Sequence, residues 1–376
     1  RRPGGRVLTH MQIAIVGLAR SGKTTVFNSL TKGDAETGGF GGLTVNTGVV
    51  KVPDERLTKL TELFKPKKEV PADVTYVDLP APATSTEGEP HADIPADQLA
   101  RLRNADAMLH VVRVFESDAV PHPLLSIDPV RDIEQLELEF TLADLGVVEK
   151  RLERLKNSGR SGTAAEKEAN EREEIVLRKL LPALTDGTPI RDVELDADES
   201  QRIRGFRFLT EKPVLVLLNV GEGDLSRADA LVAEIDGSIS HAHTEVAQMS
   251  AQIEMEIGQL DEEEAQIFRE DLGLEGSSMV RVIRASYHLL GLISFFTAGE
   301  DETRAWTVTR GSDAVEAAGT IHSDLARGFI RAEVIPWQEL LELGSMAEAK
   351  KVGKVRSEGK TYEVQDGDVI EVLFNV

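Results

Sequence analysis

Residues 17–24 read GLARSGKT: a glycine, four residues, then glycine, lysine and a hydroxyl side chain. That combination is the chemistry of a phosphate cradle. Glycines at 17 and 22 let backbone N–H groups turn inward on phosphate oxygens, and a following helix adds the positive end of its dipole. Lys23 can then reach the terminal phosphates and Thr24 can offer its hydroxyl to Mg²⁺. By chance the pattern arises in ~1% of chains this long, and its flanks strengthen it. QIAIV ahead of it reads as a short buried strand, and TTVFNSLTKG after it as a helix with Val26, Phe27 and Leu30 on one face and Gly33 as its stop. A nucleoside triphosphate with Mg²⁺ is the expected ligand.

The metal needs a carboxylate opposite Thr24, and Asp78 at the end of the strand TYVDL is the best placed. For the base, NVGE (219–222) follows the apolar strand VLVLL at the carboxyl edge where α/β sheets bind ligands. Asn219 can offer an amide to a purine edge. Guanine-specific relatives of this motif end in aspartate, and Glu222 is one methylene longer, so guanine selectivity is not expected from it. The expected nucleotide-binding set is Gly17, Ala19, Arg20, Ser21, Gly22, Lys23, Thr24 and Thr25, with Asn219, Val220, Glu222, Ser250 and Ala251; Thr24 and Asp78 are the expected metal ligands.

The elements that must position these residues follow from the pattern of the 376-residue chain, long enough for two or three modules. Strands VVKV, DVTYVDL and AMLHVVRVF alternate with helices, which means a parallel α/β sheet. The period then changes: Leu138, Leu142, Leu145, Val148, Leu152 and Leu155 form the seam of a long helix, whose partner is TAAEKEANEREEIVLRKLLPAL. From about residue 293 a β-rich module with a crossing helix begins, and DGD near its end reads as a hairpin turn. The expected organisation is a tail at 1–10, a nucleotide-binding domain at 11–130 and 206–292, an inserted helical hairpin at 131–205 and a terminal module at 293–376.

The formal net charge of −22, from 65 acidic and 43 basic residues, disfavours wrapping of nucleic acid by the whole surface. No cysteine means no disulfide framework and no thiol chemistry, which suits a reducing cytoplasm. No apolar run reaches a membrane span, and the start does not read as a signal peptide. Local basic clusters remain as RNA-facing candidates: Lys150, Arg151, Arg154, Lys156 and Arg160 near the hairpin tip, and Lys350, Lys351, Lys354, Arg356 and Lys360 in the terminal module. HAH (241–243) has no third ligand at a sensible spacing and reads as loop; His110 reads as a satisfied core histidine, and Trp306 and Trp337 as packing.

From Met11 to Val376 the chain resembles the YchF-type Obg-like ATPases. The resemblance rests on the phosphate loop, NTGVVKVPDERLTKLTELFKPKKEVP, NVGE, VIRASYHLLGLISFFTAG, and above all on RAWTVTRG, AAGTIHSDLARGFIRAEVI and GKTYEVQDGDVIEVLFNV. It implies a translation-factor-type P-loop domain with an inserted helical hairpin and a terminal TGS domain of β-grasp fold. It also implies ATP in preference to GTP and ribosome or ribosomal RNA as a partner; slow hydrolysis is expected from the intact Lys23, Thr24 and Asp78, and a cytoplasmic monomer is expected.

The departures from that family cluster at the catalytic loops. Arg20 stands where members carry asparagine and Ser21 where they carry valine; Gly42 falls at the switch threonine, with Thr44 two residues on. DxxG becomes DLPA, with Ala81 at the glycine position and Pro82 after it. Two readings follow: a slow ATPase in which Lys23, aided by Arg20 as a cis-acting cation, serves catalysis, or a nucleotide-sensing module without turnover. An ordinary GTPase is the third.

Overall fold

The computed structural model describes residues 11–33, 45–79, 94–158, 163–274 and 276–375. Its strands are β1 (Gln12–Val16), β2 (Asn46–Lys51), β3 (Lys68–Val70), β4 (Asp73–Asp78), β5 (Ala107–Arg113), β6 (Val214–Asn219), β7 (Thr244–Met249), β8 (Leu292–Ala298), β9 (Glu302–Thr309), β10 (Phe329–Pro336), β11 (Arg356–Glu358) and β12 (Asp368–Phe374). The helices used below are α1 (Lys23–Thr31), α2 (Glu55–Phe64), α3 (Ala96–Asn104), α4 (Pro129–Ser158), α5 (Ala164–Thr185), α6 (Ala197–Ile203), α7 (Ala228–Ser238), α8 (Ala251–Ile257), α9 (Glu262–Asp271), α10 (Ser278–Leu289), α11 (Ala314–Ile321) and α12 (Ser323–Arg327). Among the described residues no helix is long and apolar enough to cross a membrane.

The chain divides into two compact units, one built from Gln12–Gly48 and Tyr76–Val282, the other holding Val49–Thr75 and Ile283–Val376. This differs from the expected partition. The hairpin is not a unit of its own, the boundary falls at 283 rather than 293, and residues 49–75 cluster with the terminal module.

In the first unit the sheet runs β2-β4-β1-β5-β6-β7, with β2 and β4 contributing their site-facing ends. β1, β5, β6 and β7 are parallel neighbours, with Val16 opposite His110 and Arg113 opposite Asn219. Strands β5 and β6 are buried along their whole length, as AMLHVVR and VLVLLN require of strands covered on both faces. One core joins Ala14, Met108, Val112, Val216 and Leu218 of the sheet to Leu102 of α3, Ile133, Leu136 and Phe140 of α4, and Ile235 of α7.

Helix α4 therefore has two halves. Its first half packs on the sheet through Ile133, Leu136 and Phe140, leaving Leu138 41% and Leu142 51% exposed. Those two leucines, expected in the hairpin seam, are not in it. The seam starts at Leu145 and continues through Val148, Leu152 and Leu155 against Val176, Leu177, Leu180 and Leu184 of α5. Helix α5 opens with a reciprocal cap in which Thr163 and Glu166 satisfy each other's backbone N–H groups. Beyond the hairpin, the short helix α6 is capped the same way by Asp196 and Glu199.

In the second unit the sheet runs β11-β10-β12-β8-β9-β3. β8 and β9 form an antiparallel pair, β12 pairs antiparallel with β10 and parallel with β8, and β3 adds at the far edge alongside β9. Ile293, Phe295, Val308, Ala318, Val334 and Ile370 form its core. DGD does not close a hairpin. Asp368 accepts from the Tyr362 hydroxyl at 2.8 Å and the Gln365 N–H at 2.9 Å, folding 362–368 into a compact turn that delivers β12 to β10 rather than back onto TYEV. The single expected crossing helix is split into α11 and α12 at His322, whose extended backbone breaks the run while its ring accepts from the Asp324 N–H.

Candidate nucleotide-binding site

β1 ends at Val16 and α1 starts at Lys23, so the six residues between them form a loop at the carboxyl edge of the sheet. Two glycines are obligatory there. Gly17 has φ 145°, and a β-carbon on it would stand 2.3 Å from the Val111 carbonyl oxygen; Gly22 has φ 93°, and its β-carbon would stand 2.2 Å from Asn219 Nδ2. Lys23 is buried and curls over the loop, its Nζ donating to the carbonyls of Gly17 at 3.0 Å and Leu18 at 2.8 Å. Burial lowers its pKa to about 8, against the pull of the Asp78 charge.

On the metal side, the Thr24 hydroxyl donates to Asp78 Oδ2 at 3.0 Å, and Asn46 Nδ2 approaches the same oxygen at 3.5 Å. Asp78 is buried and its Oδ1 has no hydrogen-bond partner. Burial pushes its pKa up, while Thr24, Lys23 and Asn46 hold it down. A hydroxyl and a carboxylate with a free buried oxygen are the hard donors that Mg²⁺ takes alongside phosphate oxygens, so these residues fit the ion. Asn46 was not among the expected site residues; it lies in NTGVVK, a stretch that carried only the family resemblance.

On the base side, Asn219 is engaged by the protein itself. Its Nδ2 donates to the Ser21 carbonyl at 3.0 Å and its Oδ1 accepts from the Ala251 N–H at 3.2 Å, so each end of the amide makes a bond inside the protein. Asn219 is a clamp that ties the phosphate loop to the turn after β7. Ser29 of α1 closes the same clamp by donating to the Ala251 carbonyl at 2.8 Å. Ser250 and Ala251 are buried in this junction, and Val220 is held by the Met249 carbonyl at 3.0 Å. Glu222 is exposed at the start of a short 3₁₀ turn, Glu222–Arg227.

Arg20 is exposed, with φ 63°, and its Nη1 donates to the Pro121 carbonyl at 3.1 Å. The expected cis-acting cation is thus turned toward the segment after β5, where a neutral carbonyl takes it. Two further residues lie here that residue type and spacing did not single out, because they read as the end of a buried strand. Phe115 lies between the phosphate loop and NVGE, its ring 3.9 Å from a β-carbon on Gly22 and its own Cβ 3.2 Å from one on Gly221. Arg113 donates from Nε to the Phe115 carbonyl at 2.9 Å and stacks over the Phe115 ring, 4.4 Å from its centroid.

His110 is buried, but not satisfied: its Nε2 has no partner, and burial with the Lys23 charge pushes its pKa down to about 3, keeping it neutral. His241 of HAH pairs with Asp192 at 2.6 Å. Trp306 donates from its ring to Thr297 at 2.9 Å and packs on the second unit's core. In the basic clusters, Arg151 pairs with Glu173, Lys350 with Glu333 and Glu371, Lys351 with Glu348, and Lys354 with Glu339, so much of that charge is compensated. Gly42, Thr44, Ala81, Pro82 and Arg160 lie outside the described residues.

Comparison with known proteins places this geometry. A family model described as 50S ribosome-binding GTPase matches residues 12–151, and the YchF-GTPase C-terminal model, described as a protein of unknown function, matches residues 292–375. The ribosome-binding ATPase YchF of Bacillus subtilis is 43% identical over 368 residues, 96% of this chain and 98% of that protein. Its counterpart from Escherichia coli O157:H7 is 40% identical over 370 residues, with the same shares. The structure of the Schizosaccharomyces pombe YchF GTPase matches with a TM-score of 0.83 at 31% identity, covering 99% of both chains.

Proposed function

The chain belongs to the YchF family, and from that membership and the geometry of its site we propose that it binds ATP with Mg²⁺, hydrolyses it slowly and associates with the ribosome. The observation that carries the reading is the phosphate loop with its metal corner: Lys23 over the loop, and Thr24 on Asp78 with the second carboxylate oxygen free.

The loop's N–H groups and the α1 dipole orient the phosphates, and the Lys23 ammonium leaves the Gly17 and Leu18 carbonyls for the terminal phosphate oxygens, which are charged acceptors. Thr24 and Asp78 hold the ion, which when bound supplies charge neutralisation at the β- and γ-phosphates. Slow turnover is supported by DLPAP at 78–82, where proline follows in place of a residue able to orient water. A ribosomal partner makes the protein cytoplasmic.

Calorimetric titration with non-hydrolysable ATP and GTP analogues in Mg²⁺, repeated with Lys23→Ala, tests the nucleotide reading; co-sedimentation with ribosomes tests the partner. GTP is the second reading, favoured by the family model over residues 12–151. Tighter GTP binding would select it, and no binding of either nucleotide would refute both.

A further inference from the structure

Arg113 is 2% exposed, and its Nη1 has no hydrogen-bond partner. Among the described residues no carboxylate lies within ion-pair distance of it. Its Nε is used on the Phe115 carbonyl and its flat face on the Phe115 ring, neither of which neutralises a charge. Among the described residues, the charges that reach it are of its own sign: Arg20 acts on Arg113, and Arg113 in turn acts on His122. Asp132, the acidic partner in this neighbourhood, is already held by His122 at 2.9 Å and Arg131 at 2.7 Å.

A buried guanidinium without a counter-ion is costly, because no carboxylate compensates its desolvation. A second cation nearby raises that cost, and an anion removes it. The position says which anion. Arg113 sits opposite Asn219 in the β5–β6 register, and Asn219 holds Ser21 of the phosphate loop; the ring under the guanidinium borders Gly22 of the same loop.

Resting on the proposed nucleotide reading, we propose that Arg113 is a phosphate-contacting residue of this site, its free Nη1 taking an oxygen of the bound nucleotide's phosphate chain. Arg20, whose guanidinium donates to the Pro121 carbonyl, is the neighbouring cation of the same anion pocket.

The test is titration of the full chain, its Arg113→Gln and Arg113→Lys variants and Lys23→Ala with fluorescent N-methylanthraniloyl ADP, the corresponding labelled adenosine, and inorganic pyrophosphate as competitor. Arg113→Gln is expected to weaken ADP and pyrophosphate 10-fold or more and adenosine less than twofold, with Arg113→Lys between wild type and Gln. Equal weakening of ADP and adenosine would mean that Arg113 only supports Phe115, and would overturn the proposal, as would no effect. Weakening of pyrophosphate alone would place the anion outside the nucleotide and would overturn it as well. Should wild type and Lys23→Ala bind ADP alike, the nucleotide reading itself fails; ADP binding lost in Lys23→Ala but untouched in Arg113→Gln refutes only this inference.

Discussion

Asn219 holds Ser21: the amide nitrogen at the end of β6 donates to a phosphate-loop carbonyl at 3.0 Å, while the amide oxygen takes the Ala251 N–H at 3.2 Å. A side chain placed where a base-reading group was expected also braces the phosphate loop. Replacing it with alanine leaves a buried carbonyl and a buried N–H unpaired, a loss of about 1–3 kcal/mol for each. Asn219→Ala is therefore expected to lower stability in urea unfolding by a few kcal/mol and to weaken ATP and GTP analogues by the same factor. A change in the ratio of the two affinities would show that the amide reads the base after all.

Lys23 makes the stability of the fold pH-sensitive. Its pKa is lowered to about 8 in the fold against 10.5 when unfolded. Between those values the unfolded chain binds a proton that the folded chain has released, so stability rises with pH across that window and is flat below it. The full rise is about 3 kcal/mol. Comparing urea unfolding of wild type and Lys23→Met at pH 7.5 and 10, the difference between the two proteins should shift by roughly that amount in favour of wild type. Parallel curves would mean that Lys23 is solvated.

Asp78, the proposed metal carboxylate, is held in the fold at a cost. Its buried Oδ1 is unpaired, and burial already pushes its pKa up. Asp78→Asn removes the buried charge, so the nucleotide-free protein is expected to gain about 1 kcal/mol or lose nothing, while ATP affinity in Mg²⁺ falls to the level seen in EDTA. Mg²⁺-stimulated binding that survived in Asp78→Asn would move the metal corner elsewhere.

Arg20 belongs to the segment after β5 as much as to the loop. Because its guanidinium rests on Pro121, Arg20→Ala is expected to increase amide hydrogen exchange through 115–122 in the nucleotide-free protein and to change single-turnover ATP hydrolysis by less than about threefold, well under the 10²-fold or more that loss of a transition-state donor costs. A hundredfold loss of turnover would restore it as a charge donor to the reaction.

Gly22 tests the loop's shape. With φ 93° and a β-carbon position that overlaps the Asn219 amide, Gly22→Ala must both strain the backbone and displace the brace. Destabilisation of about 2 kcal/mol or more and loss of ADP binding are expected; a folded Gly22→Ala protein that still bound ADP at wild-type affinity in calorimetry would mean that the loop tolerates a side chain there and that the brace is dispensable.

The phosphate loop is legible in the sequence because its chemistry is contiguous: the glycines, Lys23 and Thr24 act within eight residues, and their backbone needs are local. Asp78 is legible for a related reason, since a strand end at the sheet's carboxyl edge has few uses for a buried carboxylate. The first half of α4 is not, because periodicity marks apolar stripes without saying which neighbour covers each; the sheet claims Ile133, Leu136 and Phe140, and Leu138 and Leu142 are left exposed. DGD misleads because a turn signal does not name the strand that follows it home, and β12 returns to β10 rather than to TYEV.

Residue type and spacing thus marked GLARSGKT as the loop proposed to hold a nucleotide's phosphates. Only the tertiary structure decided which groups Asn219, Arg20 and Arg113 meet, because each is polar and each depends on groups that the fold brings to it: Ser21 lies 198 residues from Asn219, and Pro121 lies 101 residues from Arg20. A hydrogen-bonding side chain can be satisfied by any carbonyl that the fold brings within reach, and the order of residues along the chain does not say which one arrives.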